Sequence, residues 1–101
     1  MDRPRRSRQH DTLVRALDCL ADIRIANGEP AQALGAAREV VSLEPFRETG
    51  YQRLIRVHTT LGNRAEALRV YESCRQLLTT ELGADPSEET QALYRELLGT
   101  P

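Results

Sequence analysis

The chain has 101 residues, which is the length of one domain and leaves no room for a second. Its formal net charge of −1 does not predict binding to nucleic acid or to an anionic membrane. No apolar run is long enough to cross a bilayer, and no hydrophobic signal region follows the N terminus, so we expect a cytoplasmic protein.

The first ten residues are polar and rich in arginine, and we expect them to form a disordered tail. Apolar residues at helical spacing then predict a first helix from about Asp11 to Ala26, which Asn27 and Gly28 end. Its expected apolar stripe consists of Leu13, Leu17, Leu20, Ala21 and Ile25. The arginines of the first ten residues are Arg3, Arg5, Arg6 and Arg8, and they could bind phosphate groups as an alternative. No base-reading residue lies between them, which favours a solvated leader.

Two prolines divide the next part of the chain into two predicted helices. Pro30 opens the second helix, which ends near Glu44 because Pro45 follows, and Pro45 in turn is predicted to open the third. Glu48 falls in the first turn of the third helix, where the helix dipole favours its charge. Arg47 is placed to reach an acid on a neighbouring helix. The apolar positions of the third helix are Phe46, Tyr51, Leu54, Ile55, Val57, His58 and Leu61.

Two further helices are predicted after Gly62. Asn63 is a candidate cap for the fourth helix, with Glu66 reaching back three residues, and an apolar stripe continues from Ala67 to Leu82. Gly83 ends this helix. Ser87 starts a last helix, whose packing face is expected to contain Leu93, Tyr94, Leu97 and Leu98.

A repeat organises these helices. The segment Gly28–Leu34 returns thirty-four residues later as Gly62–Leu68, with a glycine that ends one helix, a polar turn, and an Ala-x-Ala-Leu run that begins the next. This pattern is typical of a helical hairpin used twice. The sequence therefore predicts an all-α superhelix of two antiparallel helix hairpins plus a C-terminal helix.

The two hairpins resemble tetratricopeptide repeats. The matching positions are Leu17, Leu20, Ala21, Ala33, Ala37 and Pro45 in the first copy and Tyr51, Leu54, Ala67 and Tyr71 in the second. The second copy departs from the repeat because Ile55 replaces a small residue and because no proline follows Pro45 by thirty-four residues. The resemblance implies a concave partner groove formed by Arg15, Asp18, Asp22, Gln52, Arg56 and Thr59. A peptide or helix of mixed charge is the implied partner, and a hydrated helix face is the alternative.

Three segments are also similar, in order and spacing, to the bacterial transcriptional activator domain of SARP-type regulators. They are Leu43–Glu48, Gly62–Tyr71 and Glu81–Thr90, and the resemblance extends from about Leu13 to Leu98. Within it we single out a structural signature of Pro45, Arg47, Glu48, Gly62, Ala67, Tyr71, Gly83 and Pro86.

This second resemblance implies a regulatory module that makes protein contacts with a winged-helix DNA-binding domain, with itself or with the transcription machinery. DNA would be bound only through that separate winged-helix domain, which this chain does not contain. We expect the chain to begin inside the family domain and to lack its first helices. The outer face of residues 11–26 would then be left without a partner, and we expect a homodimer through it.

The residues give no support to catalysis. Cys19 and Cys74 have no second cysteine or histidine at ligand spacing, so neither a zinc site nor a redox pair is expected, and Cys74 falls on an apolar stripe. His10 and His58 are isolated, and His58 is expected in the core. We therefore expect no metal, no cofactor and no enzyme activity. A tetratricopeptide scaffold unrelated to transcription is the second interpretation, and an enzyme is a distant third.

Overall fold

The protein is described by a computed structural model that covers residues 3–99, with side chains from Arg8 onward. The described residues form five α-helices and no strand, which confirms the predicted all-α class. The helices are α1 (Arg3–Ala26), α2 (Pro30–Leu43), α3 (Glu48–Thr60), α4 (Arg64–Leu82) and α5 (Glu88–Leu97). Consecutive helices from α1 to α4 pack side by side, and α5 packs against both α3 and α4.

The repeat is visible in the backbone of the two hairpin turns. Gly28 and Gly62 adopt the left-handed conformation, with φ angles of 74° and 78°, which a side chain would oppose. The turn after α1 and the turn after α3 close through equivalent backbone hydrogen bonds. In the first turn the N–H of Gly28 donates to the carbonyl of Ile25 (3.0 Å) and that of Glu29 to the carbonyl of Arg24 (2.8 Å). In the second turn the N–H of Gly62 donates to the carbonyl of Thr59 (3.0 Å) and that of Asn63 to the carbonyl of His58 (2.8 Å).

The first helix begins earlier than predicted, because residues 3–10 are helical rather than a disordered tail. Extending an existing helix needs no new nucleation, and a proline in the first turn removes no intrahelical bond. His10 also contacts Glu44 at the end of α2, with 2.8 Å between His10 Nε2 and Glu44 Oε1. The side chains of Arg3, Arg5 and Arg6, considered above as phosphate contacts, lie outside the described residues.

The third helix begins later than predicted, since Pro45 lies in a turn and α3 starts at Glu48. The N–H of Arg47 donates to the carbonyl of Glu44 at 3.1 Å, which closes a four-residue turn with Pro45 at its second position. Tyr51 stabilises this turn, because its hydroxyl donates to the carbonyl of Pro45 at 2.8 Å. Proline fits such a turn as well as it fits a first helical position, and the tertiary contact decides between them.

The predicted caps had different outcomes. The side chain of Asn63 makes no capping bond, so the expected capping box at the start of α4 is wrong. Gly83 ends α4 in the left-handed conformation, as predicted, with φ of 61°. Ser87 caps α5 by accepting from the backbone N–H of Thr90, which confirms the predicted start.

The core lies along the helix interfaces and forms three clusters of buried side chains. Alanines at the helix crossings, such as Ala33 and Ala67, have no exposed surface and permit close approach of the helices. The ring of Tyr71 stacks on that of Tyr94 in α5, with centroids 4.2 Å apart. The three clusters contain Ala21, Ala33, Ala36 and Val57, then Ile55, Ala67, Tyr71 and Leu97, and finally Tyr51, Cys74 and Leu78.

Several predicted core positions are instead exposed. In α1 the stripe divides, because Ala21 and Val14 are buried while Leu13 and Leu20 face outward. The helix has apolar side chains on two faces, and periodicity alone merges them into one broad stripe. The other exposed residues that were predicted to pack are Ile25, Phe46, Leu82 and Leu98.

Two glycine substitutions are expected to act in opposite directions. Gly62→Ala should lower the free energy of unfolding by about 1 kcal/mol, because alanine resists the left-handed conformation. Gly35→Ala should raise it by about 0.5–1 kcal/mol, since Gly35 lies inside α2 with open space around the position of a Cβ. Urea unfolding followed by circular dichroism measures both, and equal destabilisation by the two variants would contradict the assigned backbone roles.

Candidate protein-interaction surfaces

The concave side of the superhelix contains a cleft between α1 and α3. Its volume is about 400 Å³, and Ile25, Pro30 and Val57 provide apolar lining. Asp22, Gln52 and Arg56 also line it, so the structure brings three of the six predicted groove residues to one cavity. Arg15 does not line the cleft, Asp18 binds arginines beside it, and Thr59 lines a second cavity.

Asp18 is the centre of an ion-pair cluster that joins α1 to the start of α3. Its two carboxylate oxygens accept from Arg47 Nη2 at 2.9 and 2.8 Å, and Arg53 Nη1 donates to Oδ1 at 2.6 Å. Arg53 Nε also donates to Asp22 Oδ1 at 3.0 Å. The predicted bridge from Arg47 to an acid on a neighbouring helix is thus confirmed, whereas Arg53 was missed. Asp18 and Asp22, one helical turn apart, were the only sequence signal for it.

The two arginines also set the proton affinity of Asp18. Partial burial acts to raise the pKa of this carboxyl group, but the hydrogen bonds and charges of Arg47 and Arg53 outweigh it and hold the pKa below its ordinary value of 3.8. Asp18 therefore remains ionised at neutral pH. The cluster serves to fix α1 against α3.

Two other predicted groove residues have their polar groups engaged within the fold. The side chain of Gln52 is buried, and its Nε2 donates to Thr90 Oγ1 at 2.9 Å. The hydroxyl of Thr59 donates to the carbonyl of Ile55 at 2.8 Å, one turn earlier in the same helix. The side chain of Arg56, by contrast, is exposed and makes no hydrogen bond or ion pair with any residue from 8 to 99. It is the cleft's available charged group.

Glu48 connects the start of α3 to the start of α5. Its Oε1 accepts from the hydroxyl of Thr90 at 2.7 Å and from the backbone N–H of Ser87 at 2.9 Å. Thr90 has no exposed surface, and its hydroxyl both donates to Glu48 and accepts from Gln52, so its hydrogen-bonding capacity is satisfied. The first and third segments of the family resemblance therefore meet through this network.

The remaining signature residues have structural positions. Gly62 and Gly83 end helices, Ala67 and Tyr71 lie in the core, and Pro86 is buried in the turn before α5. Pro45 lies in the turn before α3, and its carbonyl accepts a hydrogen bond from the Tyr51 hydroxyl. None of them lines the concave cleft.

His58 and Cys74 are buried in the core, and Cys19 is exposed. Burial, with a smaller effect from the charge of Arg38, lowers the pKa of His58, which lies in the core as predicted. Burial and then the nearby charge of Glu48 raise the pKa of Cys74 to about 11, so its thiol stays protonated. Cys19 is exposed on α1, and neither cysteine forms a disulfide.

A second surface is the outer face of α1. Leu13, Leu20 and Ile23 are 46%, 44% and 50% exposed, and Ala16 lies between them on the same side of the helix. The four residues are spaced by three, four and three positions, which is the spacing of a helix-packing seam. We call this set the outer seam. The sequence predicted an unpartnered outer face on α1 but did not separate the outer seam from the buried stripe.

Comparison with known proteins identifies the family. Residues 1–98 match the bacterial transcriptional activator domain. The chain belongs to this family. It is also 27% identical over 79 residues to the transcriptional regulatory protein MoaR1 of Mycobacterium bovis and to that of Mycobacterium tuberculosis. The match covers 78% of this chain and 25% of each relative, so the chain spans about a quarter of their length. No solved structure matches the chain.

Among the described side chains, no group of three or more His, Cys, Asp or Glu residues is arranged to hold a metal ion. Of the helices in residues 3–99, none combines the length and the apolarity needed to span a bilayer.

Removing the buried hydroxyl of Thr90 should weaken the contact between α3 and α5. Thr90→Val leaves the buried amide of Gln52 without its acceptor and removes one of the two donors to Glu48 Oε1, so we expect the free energy of unfolding to fall by about 1–3 kcal/mol. The matched control is Thr80→Val on the exposed side of α4, which should change it by less than about 0.5 kcal/mol. Urea denaturation compares the two, and equal effects would refute a role for the network.

The Asp18 cluster should make stability depend on pH in one direction. Because folding lowers the pKa of Asp18, its ionised form stabilises the folded state above the unfolded pKa, and this contribution is lost as the pH falls through the folded value. At pH 7 the free energy of unfolding of the wild-type chain should be about 1–3 kcal/mol higher than that of Asp18→Asn. The difference should shrink only below about pH 4.

Urea unfolding at a series of pH values from 7 to 3 measures this difference. Asp85→Asn is the control, since Asp85 lies exposed in the turn before α5 and makes no ion pair with the described residues. A gap between wild type and Asp18→Asn that stays constant down to pH 3 would contradict the role of Asp18.

Proposed function

We propose that this chain is a non-catalytic interaction and dimerisation module of a bacterial transcriptional regulator. It acts through protein contacts with the regulator's DNA-binding domain, with itself or with the transcription machinery, and it reaches DNA only through a separate winged-helix domain. Family membership and the similarity to MoaR1 support a role in transcription regulation. They favour it over a tetratricopeptide scaffold unrelated to transcription. The proposed site of action is the cytoplasm, where the regulator takes part in signal transduction.

The outer seam is the observation that carries the proposal of dimerisation. Three large apolar side chains of α1 remain about half exposed after α1 has packed on α2. Leucine and isoleucine in this arrangement gain free energy when another helix covers them. Two copies of α1 related by a twofold axis present identical seams to each other, and the small side chain of Ala16 lets the helices approach closely.

The winged-helix domain of the same regulator is the competing occupant of the outer seam. A second copy of the chain and the winged-helix domain would both bury the same leucines, so a substitution in the outer seam does not distinguish them. The molecular mass of the isolated chain in solution does distinguish them. A dimer of this chain alone requires the seam to pair with itself.

Leu20→Glu should convert the dimer into a monomer, because it places a charge at the centre of the outer seam. Light scattering coupled to size-exclusion chromatography should give twice the chain mass for wild type and one chain mass for the variant. The matched control is Leu82→Glu, which makes the same change at a leucine that is 59% exposed at the end of α4 and should remain dimeric. A wild-type monomer at millimolar concentration would refute the proposed dimer.

A further inference from the structure

The cleft between α1 and α3 has walls that the fold itself joins. Asp22 on α1 and Arg53 on α3 both line the cleft and bond to each other, with 3.0 Å between Arg53 Nε and Asp22 Oδ1. The lining also includes Gly28 and Pro30 of the turn that connects α1 to α2. The volume of about 400 Å³ falls within the range of small-molecule sites, roughly 300–1,000 Å³. Contacts within the fold therefore define a cleft of the size that a small ligand needs.

Gln52 provides an unused hydrogen-bond acceptor in this cleft. Its side chain is only 5% exposed, and its amide contacts the hydroxyl of Thr90. Thr90 donates its one hydroxyl hydrogen to Glu48, so the amide atom that faces Thr90 must be the donor Nε2. The other amide atom, Oε1, makes no hydrogen bond with residues 8–99 and keeps some accessible surface. Because Gln52 lines the cleft, a ligand there with an N–H or O–H group can satisfy this oxygen.

The charged groups that line the cleft leave one cation in excess. Arg53 is paired with Asp22, whereas the exposed side chain of Arg56 forms no ion pair with the described residues. Arg56 also lines a neighbouring cavity with Glu96, and these two side chains form no ion pair. Gln52 and Arg56 are four residues apart in α3, so their Cβ atoms lie about 6 Å apart on one face of the helix. One wall of the cleft therefore carries a free cation beside an unused acceptor.

We propose that the cleft binds a small organic acid with an apolar body, a carboxylate that pairs with Arg56, and a hydroxyl or N–H group that donates to Gln52 Oε1. Ile25, Pro30 and Val57 provide the apolar lining that covers the body of this ligand. A purely apolar ligand leaves the acceptor of Gln52 without a partner, and a small polar acid leaves the apolar lining uncovered. The inference goes beyond the proposed protein contacts, because it gives the module a small-molecule site.

Two acids that combine these groups serve as probes, 4-hydroxyphenylacetate and 3-hydroxyoctanoate. Phenylacetate and octanoate are the matched analogues without the hydroxyl, and the carboxamides of the two probes are the analogues without the charge. Titration of the ¹⁵N-labelled chain, followed by NMR, measures the Kd and locates the binding site. We expect at least one probe to shift the side-chain amide signal of Gln52 and to bind about fivefold more tightly than each of its analogues.

Variants of the chain test each part of the site. Arg56→Gln should weaken binding of the acid about fivefold and leave binding of its carboxamide within about twofold. Arg15→Gln makes the same change at another exposed arginine, which does not line the cleft, and should alter neither. Ile25→Ala should weaken binding about fivefold by removing apolar lining, whereas Leu82→Ala, at an exposed leucine outside the cleft, should leave it within about twofold. Thermal unfolding by circular dichroism checks that each variant is folded.

Three results would overturn the proposal: no binding of either acid at millimolar concentration, an analogue that binds as tightly as its parent acid, or equal effects of Arg56→Gln and Arg15→Gln. Binding that shifts other signals but not those of Gln52 and Arg56 also refutes the site. Repeating the titration with Leu20→Glu separates this inference from dimerisation. Binding by that variant supports the cleft site whatever the oligomeric state of wild type, and a wild-type dimer that binds neither acid refutes the cleft site alone.

Discussion

The start of α3 is the position on which the rest of the structure depends. Arg47 binds Asp18 of α1, and the next residue, Glu48, accepts hydrogen bonds from the first turn of α5. Two adjacent side chains of opposite charge therefore fix α3 against helices on either side of it. Both contacts are partly buried and charge-assisted, which makes them stronger and more directional than ion pairs at the surface.

Holding α3 in this way also creates the concave face. Because α1 and α5 are both attached to the start of α3, the side of α3 that carries Gln52, Arg53 and Arg56 becomes the floor between them. Most polar side chains near this floor already form hydrogen bonds that join the helices, including those of Asp18, Arg53 and Gln52. Arg56 lies one helical turn beyond Arg53 and remains available for binding. The structural role of Arg53 and the proposed interaction role of Arg56 thus fall on neighbouring turns of one helix.

The outer seam and the concave cleft lie on different surfaces and involve different residues. The outer seam of α1 is apolar and suits a large, lasting contact such as a dimer. The cleft combines an apolar lining with Arg56 as its available charged group. The proposed dimerisation through the outer seam would leave the cleft accessible to another molecule. This division is consistent with the chain's membership in the bacterial transcriptional activator domain family.

Local signals in the sequence determined the helices, the hairpin turns and the family. Glycine at Gly28, Gly62 and Gly83 and serine at Ser87 act on the backbone next to them, so their effects were predicted correctly. The thirty-four-residue repeat likewise depends only on spacing. The sequence also predicted that Arg47 reaches an acid, but it did not identify Asp18 as that acid.

Only the tertiary structure decided which side of α1 is buried, where α3 begins and which groove residues are available. Leu13 and Leu17 have the same chemistry, and the position of α2 alone places one outward and the other inward. Pro45 is compatible with a helix start and with a turn, and the bond from Tyr51 is made only when α3 has packed. Gln52 and Arg56 both belong to the predicted groove, but Thr90, thirty-eight residues beyond Gln52, engages only the first of them. Contacts between residues distant in the chain carry no local pattern, which is why spacing and composition did not predict them.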